Sequence, residues 1–283
     1  MTMKDLRRRY HKEICKRILG LKSGVPNFAD ISSKTSRTLA LGLVRRLDCS
    51  LCTSPPVGQT VGTVFGELTL DFLHRAFRLF QHIRPGKWAF SASQASIGIA
   101  AFDQYEHLAA LDSALKTHKD LAAALGGDYI IRPDIVIGRE PLSDSEINKK
   151  KIILGGGPIS VLTPLRKNNY QSPKPILHAS VSCKWTIRSD RSQNTRTEAL
   201  NLIRNRKGKT PHISCVTAEP MPTRLASLAM GTGDIDCVYH MALQELISSV
   251  NESGNEDQGE MLDTLVNGKR LRDISDLPFD LIS

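Results

Sequence analysis

The sequence contains no run of about eighteen apolar residues, the length that a membrane-spanning helix requires. Its first stretch, MTMKDLRRRYHKEICKRIL, carries the basic residues of a secretory leader without the apolar core that should follow them. A soluble, unexported, cytoplasmic protein with no membrane partner is expected. Cysteine is sparse, with six residues at positions 15, 49, 52, 183, 215 and 237 set among apolar neighbours. That usage favours reduced thiols over a disulfide framework. Cys49 and Cys52 make a CxxC, but no second pair and no histidines at zinc-ligand spacing accompany it, and the eight histidines contain no HExxH. Gly208-Lys209-Thr210 looks like the end of a phosphate-binding loop, yet the glycine needed upstream would fall at Ile203. Gly155-Gly156-Gly157-Pro158 precedes no helix and reads as a connection. Internal repeats are absent as well. Zinc chemistry and nucleotide hydrolysis are thereby set aside.

What remains is an ordinary globular composition, 40% hydrophobic and 24% charged over 283 residues, which is enough chain to bury a substantial core. The net charge is +9. Its placement matters more than its size. Between Lys184 and Lys209 there are eight Lys or Arg against Asp190 and Glu198 alone, a local excess of 8 − 2 = +6. Such a cluster suits a polyanion, whose counterions are released on binding. A solvated basic face is the alternative.

Along the chain, Leu6, Tyr10, Ile14 and Ile18 recur four apart and predict an amphipathic helix over 3–19. Leu39 to Leu47 is helical again, and Val61 to Ile83 is a long periodic segment ended by Pro85-Gly86. WAFSAS predicts a strand, Phe102 to Leu125 a helix, and DYIIRPDIVIGRE a strand bent by Pro133. After a loop-rich region from Glu140 to Pro175 come a strand through 178–185, a helix near Thr195 to Arg206, the strand HISCVTA, a helix opened by Pro222 and a helix from about Met241 to Val250. The acidic SGNEDQGE reads as a surface turn. Strands alternating with helices predict a single α/β domain over 1–283, a central mixed β-sheet flanked by helices.

The stretch HASVSCKWTIRSDR holds the chemistry. On a strand, Ala179, Val181, Cys183 and Trp185 share one face while His178, Ser180, Ser182 and Lys184 share the other, because successive side chains alternate. A polar row merely facing water would explain this without function. However, Asp134 follows Pro133 on another strand, and if the two strands are neighbours a carboxylate and an ammonium converge. A carboxylate holds Mg²⁺ through hard oxygen contacts, and a lysine beside it orients an attacking water and steadies phosphate charge. In the common nuclease pattern, PD followed by acid-x-lysine, an acid would stand at position 182. Here it is Ser182, and Glu198 on the following helix is the candidate to restore the missing carboxylate. Arg188, Asp190 and Arg191 suit consecutive G·C pairs, since arginine is the preferred partner of guanine and aspartate accepts from the cytosine amino group. A surface ion pair among the three is the bland alternative.

These residues carry a resemblance. LHASVSCKWTIRSDRSQNTRTEALNLIRNRKGK, PHISCVTAEPMPTRLASLAMGTGDIDCVYH and VNGKRLRDISDLP, with QHIRPGKW, LAAALGGDYIIRPDIV and GQT upstream, resemble the NgoMIV-type restriction endonucleases. Those are relatives, within the PD-(D/E)XK superfamily, of the tetrameric type II (type IIF) enzymes that cut sites built around CCGG. The resemblance implies a restriction-endonuclease-like fold and a Mg²⁺-dependent, site-specific deoxyribonuclease acting on double-stranded DNA at a palindromic site, GCCGGC, with a 5′ overhang. It implies catalytic roles for Asp134, Ser182, Lys184 and Glu198, and metal contacts from Asp134 and the Cys183 carbonyl. Arg188, Asp190 and Arg191 would read the central CCGG, Arg224 with Asp30 and Ser32 the outer pair, and Gln59 the minor groove. A homotetramer of two DNA-binding dimers is implied, as is a cognate methyltransferase in the same restriction-modification system. One residue departs from the pattern: the family's glutamate after the phenylalanine matching Phe65 is Gly66 here, and Glu67 comes one place later. A one-residue shift turns a helical side chain by about 100°. Two other classes stay open, a DNA-binding protein that has lost cleavage and a structure-selective repair or recombination nuclease.

Overall fold

A computed structural model describes residues 1–92, 98–118, 120, 133–167, 173–231 and 233–283, with the backbone alone at positions 189 and 191. Among these residues, eight strands form two sheets. A two-stranded ribbon pairs β1 (Leu21–Lys22) with β2 (Val25–Pro26). The central sheet holds β3 (Trp88–Ser91), β4 (Ile135–Arg139), β5 (Ile176–Lys184), β6 (His212–Thr217), β7 (Cys237–His240) and β8 (Leu271–Asp273), and its spatial order is the sequence order. The β3–β4 and β4–β5 pairs are antiparallel, whereas β5 to β8 are mutually parallel, so the sheet is mixed. Helices flank it, as expected. No helix among the described residues is long and apolar enough to cross a membrane.

The long helix Gln59–Leu79 packs on β5, burying Phe65, Leu68, Phe72 and Leu73. Trp185 sits edge-on against Phe65 and Phe28, with centroids 5.2 and 5.7 Å away. Towards the opposite end of β5, the backbone of Leu177 exchanges two hydrogen bonds with the Gln104 amide, and Tyr105 donates to the Leu202 carbonyl. Both sides of β5 are therefore covered, and Ser180 and Ser182 are only 2% and 6% exposed. The wet-face alternative is excluded.

The helix carrying Arg188, Asp190 and Arg191 spans Ser189–Asn205, with Arg188 as its N-cap. It begins six residues before the expected Thr195, because the polar RSDR run belongs to the first turn rather than to a loop. The acidic stretch is also not a turn. Asn255 caps a helix Glu256–Asn267 through a hydrogen bond from Gln258 N, and Glu256 and Asp257 lie in its first turn, where negative charge meets the positive helix end. Of the helix expected over Phe102 to Leu125, the described part is His107–Thr117, preceded by two short 3₁₀ turns. Positions 121–125 lie outside the described residues, as does the strand expected over 128–132.

The expectation of six reduced thiols is corrected at one pair, since Cys15 is bonded to Cys49 across a sequence separation of 34. Asp48 ends the helix Lys34–Leu47 in the left-handed conformation, and Cys52 N donates to the Leu19 carbonyl, which draws this turn onto the end of the first helix, Met3–Arg17. Cys52, Cys183, Cys215 and Cys237 are free. The CxxC is thus split between a bridge and a thiol. Elsewhere the first helix is tied by Arg7, whose guanidinium bonds both Glu245 and Asp273 at 2.5–2.9 Å.

Candidate active site

β4 and β5 are antiparallel neighbours, with Ile135 opposite Val181. Asp134 stands just before β4, beyond Pro133, which has no N–H to extend the ladder. Its carboxylate is thereby free to turn onto the end of β5. Asp134 Oδ2 accepts from Lys184 Nζ at 2.8 Å and from the Cys183 backbone N–H at 2.8 Å. The lysine is mostly buried. Burial disfavours its charge, but the attraction and hydrogen bond of Asp134 outweigh burial and hold the ammonium above its ordinary pKa. Ser182 lies two residues before Lys184 on the same strand, buried, while the Cys183 thiol is buried and held protonated, so that only the backbone of Cys183 is available for chemistry.

Glu198 projects from the helix Ser189–Asn205 into the same charged neighbourhood. Its carboxyl is pushed up to about 8, first by burial and then by the negative charge of Asp134, with Lys184 opposing. Glu198 Oε1 is buried and has no hydrogen-bond partner among the described residues. An unpartnered buried carboxyl oxygen beside a second carboxylate is what a cation between them would satisfy. The residues fit a hard divalent ion, with Asp134, Glu198 and the Cys183 carbonyl as oxygen donors. Among the described residues no cluster of three or more His, Cys, Asp or Glu surrounds a metal position, so water or substrate oxygens would complete the shell.

Asp134, Cys183 and Lys184 line a cleft of about 960 Å³. Its walls include Trp185, Arg188 and Gln59, the first residue of the helix Gln59–Leu79. Arg188 and Asp190 are exposed; the side chain of Arg191 lies outside the described residues. Ala29 and Ile31 reach the same cleft. Between them Asp30 accepts from Ser32 Oγ at 2.7 Å and from Ser32 N at 3.0 Å, and forms an ion pair with Arg224. These contacts, led by the Ser32 hydroxyl, hold the Asp30 carboxyl well below the usual carboxylate range. Arg224, 194 residues from Asp30, thus joins Asp30 and Ser32 in one cluster.

Glu67 is not brought in. It is exposed and pairs with Arg17 at 3.3 Å, while Gly66 occupies the helix position that faces the cleft. The one-residue offset has rotated the acid off the site. The basic segment is also only partly turned towards a ligand, since Arg196 donates to the Ser227 carbonyl and lies 4.0 Å from buried Asp234. One residue that no motif pointed to is Glu219, buried two places beyond β6 with its carboxylate on the backbone of Ile187 and Met221. Its bond to Ile187 spans 32 residues, so no spacing in the sequence could have found it.

A mixed sheet whose end gathers two carboxylates and a lysine beneath an arginine-bearing wall suits a DNA-binding nuclease, and comparison with known proteins makes the class a restriction endonuclease. The chain belongs to the NgoMIV restriction enzyme family, whose model matches residues 10–283. It is 46% identical over 279 residues to the type II restriction enzyme NgoMIV of Neisseria gonorrhoeae, covering 97% of this chain and 96% of that protein. Among solved structures, a restriction endonuclease PspGI–substrate DNA complex is matched over 94% of this chain and 98% of that one, at 15% identity and a TM-score of 0.26.

Proposed function

We propose that this chain is a type II restriction endonuclease that hydrolyses phosphodiester bonds of double-stranded DNA at the palindrome GCCGGC, leaving a 5′ overhang. The single observation that carries the reading is the Lys184–Asp134 contact of 2.8 Å beside the unpartnered oxygen of Glu198, at the floor of a cleft walled by Arg188 and Gln59. Asp134, Glu198 and the Cys183 carbonyl would hold Mg²⁺. When bound, the ion supplies positive charge beside the scissile phosphate. Lys184, anchored by Asp134, sits where its ammonium can orient a water towards phosphorus and offset the charge that builds on the phosphate oxygens. Ser182 stands where the superfamily pattern has an acid, and Glu198 supplies that acid from the helix. Arg188, Asp190 and Arg191 are assigned to the CCGG core, Arg224 with Asp30 and Ser32 to the outer pair, and Gln59 to the minor groove.

The unit is taken to be a single domain over 1–283 working in a homotetramer of two DNA-binding dimers, since a palindrome matches a two-fold assembly. Exposed Ile152, Ile153, Ile159 and Leu162 in one loop region provide apolar surface suited to assembly. A cytoplasmic setting and a cognate methyltransferase in the same system complete the reading.

Incubation with plasmid DNA and Mg²⁺ tests it, with discrete fragments ending at GCCGGC expected. Lys184→Ala should lower the cleavage rate by about 10²–10³-fold while specific binding persists. The outward turn of Glu67 favours one second reading, a site-specific binder without cleavage. Band shifts without fragments from the unaltered protein would establish it. Cleavage indifferent to sequence would instead point to a structure-selective nuclease.

A further inference from the structure

Glu219 is a carboxylate that is 1% exposed, set between the two segments assigned to base reading. Its Oε2 accepts from Ile187 N at 2.9 Å, and Ile187 immediately precedes Arg188. Its Oε1 accepts from Met221 N at 3.3 Å and lies 4.0 Å from Arg224 Nη1. The location follows from the sheet. Thr217 is in parallel register with Lys184, so the chain leaving β6 emerges at the end of the sheet where the catalytic residues stand, and Thr217 Oγ1 accepts from Glu219 N at 3.1 Å.

The helix that begins at Ser189 lacks a local anchor of the usual kind. Arg188 is its N-cap residue and makes no side-chain capping bond. The entry of this helix is held instead by the bond from Ile187 to Glu219. On the other side Arg224 lies between two carboxylates, Asp30 and Glu219, which constrain its guanidinium from two directions. A neutral amide would serve to tie backbone to backbone at less desolvation penalty. A buried carboxylate adds a pull on Arg224 that an amide lacks.

We infer that Glu219 is a positioning residue for sequence readout, a single buried anchor that sets both the backbone delivering Arg188 and the guanidinium of Arg224, and so couples recognition of the inner and outer base pairs. The inference rests on the reader assignment made above. It is tested with Glu219→Gln and Glu219→Ala, alongside Arg188→Ala and Arg224→Ala. Metal-free binding and Mg²⁺-dependent cleavage are measured at about pH 8.5, where Glu219 is ionised, on duplexes carrying the mapped site, or the site with one inner or one outer pair changed. Glu219→Gln keeps an acceptor for Ile187 but loses the charge, so discrimination at the outer pair should fall by about 10-fold, with the inner pair nearly unaffected. In an Arg224→Ala background Glu219→Gln should lower outer-pair discrimination no further. Glu219→Ala should relax both pairs, and where that variant does not fold the glutamine variant decides. Wild-type discrimination in Glu219→Gln, or an equal slowing on every duplex, would overturn the inference and leave Glu219 merely structural. Unchanged discrimination in Arg188→Ala and Arg224→Ala would instead remove the reader assignment itself, and the inference with it.

Discussion

The surroundings of Glu198 bear on the metal-holding role proposed for it. Burial and the charge of Asp134 push its carboxyl up to about 8, and one oxygen has no partner among the described residues. Glu198→Gln should therefore weaken divalent-ion binding in calorimetric titration by more than about 10-fold, since even outer-shell partners of a ligand are worth that much. Glu219 makes a different prediction. Burial raises its carboxyl to about 7 against the lowering effect of the Ile187 N–H and Arg224, with Asp30 adding to the rise. Between pH 4.5 and 7 the native state holds a proton that the unfolded state has released. The contribution of this group to stability is thus greatest at low pH, falls as pH rises through that window, and is flat above about 7. Denaturant melts of wild type and Glu219→Gln across that range should differ by a pH-dependent amount of up to about 3 kcal/mol. A difference that does not vary with pH would show that Glu219 does not titrate there.

At the scale of elements, the Cys15–Cys49 bridge joins the end of the first helix to the turn after the second. Closing that length of chain should stabilise the oxidised protein by roughly 2–4 kcal/mol. A thermal scan with reductant should bring wild type down to the melting temperature of a Cys15→Ser, Cys49→Ser variant, which itself should not respond to reductant. This pairing was not legible in the sequence because nothing in a separation of 34 residues marks it; the packing of the turn at Asp48 decides it. The meeting of Asp134 with Lys184 was legible, for alternation put Lys184 on a polar row and Pro133 freed Asp134 from the ladder. Glu198 was legible only as the nearest acid on the following helix, since a helix reaching back onto a strand leaves no fixed local spacing. Asn255-Glu256-Asp257 was read as a turn although a cap followed by acids is also how a helix begins. The strands Cys237–His240 and Leu271–Asp273 are too short for a periodic signal and owe their state to the parallel ladder beside them.

For the whole molecule, the proposed dimer of dimers predicts a four-chain mass in light scattering. Replacing the exposed Ile153 and Leu162 with aspartate should reduce that mass to two chains or one, if this apolar surface joins the dimers. An unchanged mass would move the interface elsewhere.

The Arg7 cluster also bears on the order in which the molecule comes into being. Its guanidinium belongs to the opening helix, yet the two carboxylates it grips lie 238 and 266 residues further along. A chain still emerging from the ribosome can make the helix early but must wait until Asp273 has been added before both acids exist to receive it. Contacts of such long range are also slow to find one another. The opening helix is therefore locked in place only after the segment carrying Glu245 and Asp273 has followed it.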